Sequence, residues 1–333
     1  MDFEALTPEL VMFAVEQAFG LRLDGTITPY PSYINRVYGV RTDDGDDLIA
    51  KFYRPDRWSA DAIADEHEFV LDCAAADVPV IAPLGDHDGD TLHEIEITDA
   101  SYLYALYPKM GGRNFDAERD EDWRRLGSLV ARCHVAGRIR SARSRVTCHP
   151  RHVAYTYVGL IEQADVLHAE IAGDFVRLCK TIIEATAPLF DDTATIRIHG
   201  DCHRGNIFDR PDTGLFVIDF DDMMNGPAVQ DLWLLLPDYA HLCRRELDLL
   251  IDGYETFLPF DRREIRLIEP LRFIRMIYFL AWQTRQRHDR AFFEHFPGWG
   301  SKAFWEREIE DLSLQYRIIH DHLDHHSIDS RDR

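Results

Sequence analysis

Apolar residues first recur with a helical period in "PELVMFAVEQAF". Thr7 precedes the run as an N-cap, Pro8 takes the first helical position and Gly20 follows the end, which predicts an opening helix. The pattern then changes to alternation in "YINRVYGV" and "DLIAKFY", two strands joined by the acidic turn "RTDDGD". In the second run Leu48, Ala50 and Phe52 fall on one face and Ile49, Lys51 and Tyr53 on the other. A helical period returns over 59–76, with Ser59 as candidate N-cap. There Asp61, Asp65, Glu68 and Asp72 mark the solvated side. Ile63, Glu66, Val70 and Cys73 form a mainly apolar stripe, so Glu66 is a carboxylate on the face expected to pack. The prolines of "DVPVIAP" close this helix. Strands "LHEIEI" and "YLYALY" follow, and the break "PKMGG" at 108–112 reads as a hinge.

Beyond the hinge the pattern is mostly helical. Trp123, Leu126, Leu129, Val130 and Cys133 keep a 3.6 period, and a second helical stretch is expected over about 158–187. Two short strands, "TIRIH" and "LFVID", interrupt it, separated by a turn containing Pro211, Asp212 and Gly214. "AVQDLWLLL" and "PLRFIRMIYFLAWQTRQ" are further helices, and the polar ending "DHLDHHSIDSRDR" is expected to fray. This is an α+β chain in two parts, a small strand-rich lobe over 1–108 and a larger helical lobe over 109–333.

Composition narrows the functions available. A formal net charge of −22 argues against a nucleic-acid partner, which needs a basic surface, and allows a cationic substrate or a basic protein segment. No apolar run is long enough for a membrane span, and "MDFEALTPEL" lacks the basic head and apolar stretch of a secretory leader. Six cysteines stand far apart without a CxxC pair, as expected of free thiols in a reducing cytoplasm. Lysine occurs only at Lys51, Lys109, Lys180 and Lys302, against 33 arginines. A lysine among apolar neighbours on its own strand face is either an edge guard or a buried charge with a partner. The inward-facing Glu66 favours the second reading.

The segment "IHGDCHRGNIFDRPDTGLFVIDFDD" carries the chemistry. Asn206 lies five residues after Asp201, the spacing of the kinase catalytic loop H-R-D-x-x-x-x-N with glycine in place of arginine, and Asp219 ends "LFVID". In phosphoryl transfer Asp201 would accept the proton of the attacking hydroxyl. Asn206 and Asp219 would offer hard oxygens to Mg²⁺, and Lys51 with Glu66 would hold the α- and β-phosphates of ATP. A zinc site from His199, Asp201 and His203 lacks the helical H-x-x-x-H register and a nearby cysteine cluster. Cys202 as a nucleophile would need a depressed pKa, which acidic neighbours oppose. Asp231 reads as a structural brace, His203 as a loop-positioning residue, and His320, His322, His325 and His326 as part of a solvated tail.

The motif "HGDCHRGNIF…VIDFDD" resembles the aminoglycoside phosphotransferase/choline kinase branch of the protein-kinase-like fold. "KFYRPDRW", "VPVIAP", "NGPAVQDLWLLL" and "IEPLRFIRMIYFLAW" extend the likeness over roughly residues 5 to 305 to the bacterial stress response kinase A proteins. That resemblance implies a two-lobed α+β fold and a cytoplasmic, ATP- and Mg²⁺-dependent serine/threonine protein kinase that acts on protein, itself included; the chain is separately expected to be a monomer. It also places Ser32 near the ATP phosphates. Three departures stand out. "YPSYINRVYGV" holds no G-x-G-x-x-G, leaving phosphate cover to Ser32, Tyr33 and backbone amides. Asp219 is followed by Phe220 and Asp221, with the ligand roles of Asp221 and Asp222 open. No A-P-E follows. A kinase for a cationic alcohol or aminoglycoside shares every site residue and stays open, and a pseudokinase is disfavoured by retention of Lys51, Asp201, Asn206 and Asp219.

Overall fold

The computed structural model describes residues 3, 5–32, 34–97, 100–289 and 292–329. In chain order its elements begin α1 (Pro8–Phe19), β1 (Leu23–Tyr30), β2 (Arg36–Thr42), β3 (Asp47–Phe52), α2 (Ala60–Ala75), β4 (His93–Ile97), β5 (Ala100–Pro108), β6 (Arg113–Asn114) and α3 (Asp120–Gly137). They continue with α4 (Pro150–Gln163), α5 (Ala172–Thr186), β7 (Ile196–Ile198), β8 (Ile207–Arg210), β9 (Gly214–Val217), β10 (Met224–Gly226) and α6 (Val229–Trp233). The last four are α7 (Arg244–Tyr254), α8 (Ile268–Gln286), α9 (Phe292–His295) and α10 (Lys302–Asp329). Internal contacts gather the chain into two compact units. One comprises Met1–Arg145, Arg197–Met224 and Leu249–Pro259, the other Val146–Ile196, Asn225–Asp248 and Phe260–Arg333.

The first unit is built on an antiparallel sheet of order β1-β2-β3-β5-β4. The opening helix forms as its caps require: Thr7 Oγ1 accepts from the N–H of Leu10, and Gly20 takes the left-handed φ of 62° that ends it. Val11, Ala14 and Val15 of α1 pack with Leu48, Ala50 and Phe52 of β3 and Tyr102, Tyr104 and Leu106 of β5. The alternation read in "DLIAKF" therefore holds, and Lys51 points to the opposite face. On that face Tyr53, Ile63 and Ala105 form a second buried cluster with Trp58, Leu103 and Tyr107 at its margin. A smaller antiparallel sheet, β6-β8-β9, and α3 complete the secondary structure that bears on the site.

In the second unit α4 packs against α5 and α8, and α10 against α5 and α8. Trp305 is fully buried there, its ring edge-on to Phe175 at 5.4 Å and its Nε1–H donating to Val166 O at 2.8 Å. Among the described residues no helix is long and apolar enough to cross a membrane.

Four elements differ from expectation. Strand β1 was not foreseen: Gly25 and Pro29 weaken its pattern, and its pairing with β2 shifts register between Leu23 and Ile27, a shape tolerated at a sheet edge. The stretch expected over 158–187 is two helices. The first starts at Pro150, with His149 as a side-chain N-cap, and Asp165 at φ 51° lies in the break between them. Strand β8 pairs with β9 across the turn that holds Pro211 and Gly214. Helix α10 continues to Asp329, through much of the ending expected to fray. The side chains of His322, His325 and His326 lie outside the described residues.

Candidate active site

Lys51 is the last residue but one of β3, the middle strand of its sheet, paired with Val37 on β2 and Ala105 on β5. It is on a central strand, so the edge-guard reading falls. Its ammonium group lies 2.9 Å from Asp221 Oδ1, 3.5 Å from Asp219 Oδ1 and 3.6 Å from Glu66 Oε1. The ring of Tyr53 lies 4.9 Å away. Burial alone would neutralise such a lysine, but Asp221, Glu66 and Asp219 outweigh it and raise its pKa well above the ordinary value. The site thus contains a permanent, fixed cation.

Glu66 reaches this point because α2 starts where Ser59 Oγ caps the N–H of Ala62 at 3.2 Å. Glu66 is buried, whereas the side chain of Glu68 is 43% exposed, as the two helix faces required. The expected Lys51–Glu66 pair is present, yet each partner has a closer one. Glu66 Oε2 lies 2.9 Å from Arg145 Nη2, and Lys51 is nearest Asp221. Burial raises the Glu66 pKa, against the pull of Lys51 and Arg145.

Asp221 organises this cluster. Buried, it accepts from Asn35 Nδ2 at 3.2 Å and lies 3.4 Å from Arg57 Nη2, which also reaches Asp222 Oδ1 at 2.8 Å. Burial pushes its pKa up, but Lys51 and Arg57, with hydrogen bonds from Lys51 and Asn35, more than offset this and keep it ionised. Asn35 Oδ1 accepts from the N–H of Arg54 at 3.1 Å, and Arg54 Nε donates to Ile34 O at 2.9 Å. The β1–β2 loop is therefore held by the Asn35 amide and the Arg54 guanidinium, at the place where protein kinases carry a glycine-rich sequence. Ser32 lies half-buried in that loop, outside this hydrogen-bonded cluster among the described residues, and Tyr33 lies outside the described residues.

The segment 199–206 is held by its own side chains. His199 Nδ1 accepts from the N–H of Asp201 at 3.2 Å, so its Nε2–H donates to Ile218 O at 2.8 Å. Asn206 Nδ2 donates to Asp201 O at 3.0 Å, and the N–H of Ile218 donates to Asn206 O at 3.0 Å. These bonds set Asp201 and Asn206 beside the strand end that carries Asp219. Asp219 occupies the left-handed region at φ 63°, and its side chain is 52% exposed. Phe220 behind it packs on His199 at 4.5 Å and edge-on to Phe69 of α2 at 5.4 Å. Gly200 has φ +82°, and a Cβ there would stand 2.1 Å from Asp222 O, which explains why arginine is absent from this position. His203 Nδ1 accepts from the N–H of Gly205 at 3.0 Å, and its Nε2 lies 3.6 Å from Asp201 Oδ2. Asp231 is buried in the first turn of α6.

Lys51, Glu66 and Asp219 are thus brought together, with Asp201 and Asn206 tied to the strand end beside Asp219. Arg145, Arg57 and Asn35 were missed, because partners tens to nearly two hundred residues apart leave no local pattern. Among the described residues no group of three or more His, Cys, Asp or Glu is placed so that it could hold a metal ion.

Behind Lys51, His67 Nε2 meets Tyr53 Oη at 2.8 Å and His67 Nδ1 meets Thr91 Oγ1 at 2.8 Å. Burial, with Lys51 and Arg145 nearby, lowers the His67 pKa to about 3. Below an unfolded pKa of about 6.5 the unfolded chain takes up a proton that the folded chain refuses. Stability from this group is therefore complete above about 6.5 and is lost as pH falls from there toward 3. Urea titrations should show about 2 kcal/mol lost to this residue between pH 7 and pH 5. His67→Gln should remove that part of the pH slope; an unchanged slope would refute the assignment.

Residues 26–268 match the phosphotransferase enzyme family. The chain is 38% identical over 320 residues to stress response kinase A of Salmonella choleraesuis (strain SC-B67), covering 96% of this chain and 95% of that protein. It belongs to the stress response kinase A family. A second relative, at 38% identity over 96% of this chain and 95% of its own length, is the serine/threonine protein kinase RdoA of Salmonella typhimurium. The structure of the amicoumacin kinase hAmiN in complex with AMP-PNP, Ca²⁺ and Ami shares the fold with a TM-score of 0.70, at 15% identity over 95% of this chain and 94% of that one. Family and fold agree with the α+β, kinase-like architecture read from the motif, and this member of the stress response kinase A family is an ATP-dependent kinase.

Proposed function

We propose that this kinase transfers the terminal phosphoryl group of Mg²⁺-ATP to serine or threonine hydroxyls of protein, its own included. The observation that carries this reading is the cluster in which Lys51 meets Glu66 and Asp219 on one fixed point, in a chain whose near-full-length relatives include a serine/threonine protein kinase. Asp201 accepts the proton of the attacking hydroxyl. Lys51, braced by Glu66, holds the α- and β-phosphates, with Ser32 in the covering loop beside them. Asn206 and Asp219 hold the metal. Both offer hard oxygens, and the bond from Asn206 Nδ2 to Asp201 O leaves the amide oxygen available. Two hard protein oxygens would suit Mg²⁺, an ion that proteins commonly bind through one or two carboxylates. When bound, the ion neutralises charge on the phosphates as transfer proceeds. Asp221 is a brace in this scheme, since Lys51, Arg57 and Asn35 already engage its carboxylate.

We assign 1–108 to nucleotide binding and 109–333 to the catalytic loop, metal site and acceptor. The six cysteines, none of them in a disulfide, support a reducing cytoplasm, and the reading is of a monomer. A second reading, phosphorylation of a cationic alcohol or aminoglycoside, is favoured by the −22 charge and by the fold shared with the amicoumacin kinase. Purified chain incubated with Mg²⁺ and γ-labelled ATP separates them. We expect label on protein bands, lost after alkaline treatment that releases phosphate from serine. Unlabelled protein with rapid turnover on amino alcohols would reverse the order of the two readings.

A further inference from the structure

The loop that leaves α3 runs along α2. Arg140 donates to Glu68 Oε1 at 2.7 Å and Asp72 Oδ1 at 2.9 Å, and the N–H of Ser144 donates to Asp65 Oδ2 at 2.5 Å. Arg145 donates through Nε to Ala62 O at 2.6 Å and through Nη2 to Glu66 Oε2 at 2.9 Å. Residues 62 to 72 span about three helical turns, so the loop is a strap along the helix. Arg145 ends the strap, and its side chain has no exposed surface. Its Nη1 donates to Asp221 O at 2.7 Å, and its guanidinium lies 4.1 Å from the ring of Trp58. One planar group thereby grips the first turn of α2, the Glu66 carboxylate and the backbone two residues past Asp219. Only arginine carries donors in enough fixed directions to do this; lysine has a single nitrogen.

We propose that Arg145 is a positioning residue for phosphoryl transfer, holding Glu66 against Lys51 and the 219–222 turn in register with them. The inference rests on the phosphoryl-transfer reading above. A lysine–glutamate pair and a metal-binding aspartate must be in place together for the reaction. Here one buried side chain spans both, joining elements from three distant parts of the sequence. Without it, among the described residues, Glu66 keeps its 3.6 Å contact with Lys51 as its one ion pair, while Arg140 and Ser144 still hold the outer side of α2.

The full-length chain serves for the test, with Arg145→Lys and Arg145→Met as variants and Arg140→Ala as a control on the same strap. Steady-state transfer from Mg²⁺-ATP and thermal unfolding are measured for each. Both Arg145 variants should lose about 10- to 100-fold in kcat, as supporting contacts to a reactive centre typically do, with a smaller change in KM for Mg²⁺-ATP. Arg140→Ala should retain wild-type kcat. The double variant Glu66→Gln/Arg145→Lys should lose about tenfold less than the product of the two single losses, because both act through one contact. Multiplying effects, a wild-type kcat in Arg145→Lys, or failure of both Arg145 variants to fold would overturn the proposal and leave Arg145 a core brace. A wild-type chain that transfers no phosphate to any acceptor overturns the functional reading itself. An active wild type with an indifferent Arg145 overturns this inference alone.

Discussion

Asp201→Asn should lower kcat by about 10²- to 10⁴-fold, the range for losing a positioned general base, with Mg²⁺-ATP binding near the wild-type value. The substitution keeps the shape of the side chain and removes its capacity to take a proton. Nucleotide affinity should survive because the groups assigned to the phosphates, Lys51 and Glu66, belong to β3 and α2. The 199–206 segment should keep its shape as well. The bonds that hold it run through the backbone N–H and carbonyl of Asp201, to His199 and Asn206 respectively. Steady-state kinetics with varied ATP, alongside calorimetric titration of a nonhydrolysable nucleotide, measure the two quantities separately. A variant that turns over normally would show that the base is another group. One that loses nucleotide binding in proportion would make Asp201 part of the nucleotide site instead.

Asp219→Asn should fail in a different manner. A bound divalent ion contributes several kcal/mol to phosphoryl transfer, so if Asp219 is the ligand proposed above, weakening its carboxylate should cost at least about 100-fold in kcat/KM. Much of that loss should appear as weaker Mg²⁺-ATP binding, and raising Mg²⁺ should recover part of it, which it cannot do for Asp201→Asn. The fold should tolerate the change. The Asp219 side chain is half exposed, and Lys51 retains Asp221 at 2.9 Å and Glu66 at 3.6 Å. Unaltered Mg²⁺ dependence in this variant would move the metal to other oxygens, with Asp222 next to be tested.

The parts of this molecule legible in its sequence are those whose determinants are local. Thr7, Pro8 and Gly20 delimit α1 because a cap is chemistry between neighbours, and the alternation in "DLIAKF" placed Lys51 on the correct face. Glu66 was separable from Glu68 by helical periodicity alone. What stayed hidden depends on distance along the chain. Nothing around Arg145 announces that it meets Glu66 across 79 positions, and Asn35 reaches Asp221 across 186. The acidic doublet after Phe220 was visible but could not be ranked. Burial separates its members: Asp221 is 4% exposed and holds Lys51, while Asp222, less buried, faces Arg57. Secondary structure failed for the same reason at β1 and β8, which owe their existence to the strand beside them more than to their own residues.

All six cysteines are buried and none is in a disulfide, and they divide evenly: Cys73, Cys133 and Cys202 in the first unit, Cys148, Cys179 and Cys243 in the second. A thiol reagent therefore meets a closed surface, and each sulfur becomes reactive only when its own surroundings open. The kinase carries a built-in set of stability probes, three to a unit, that need no engineered label. Retaining one cysteine at a time would time the breathing of each half under working conditions, nucleotide included.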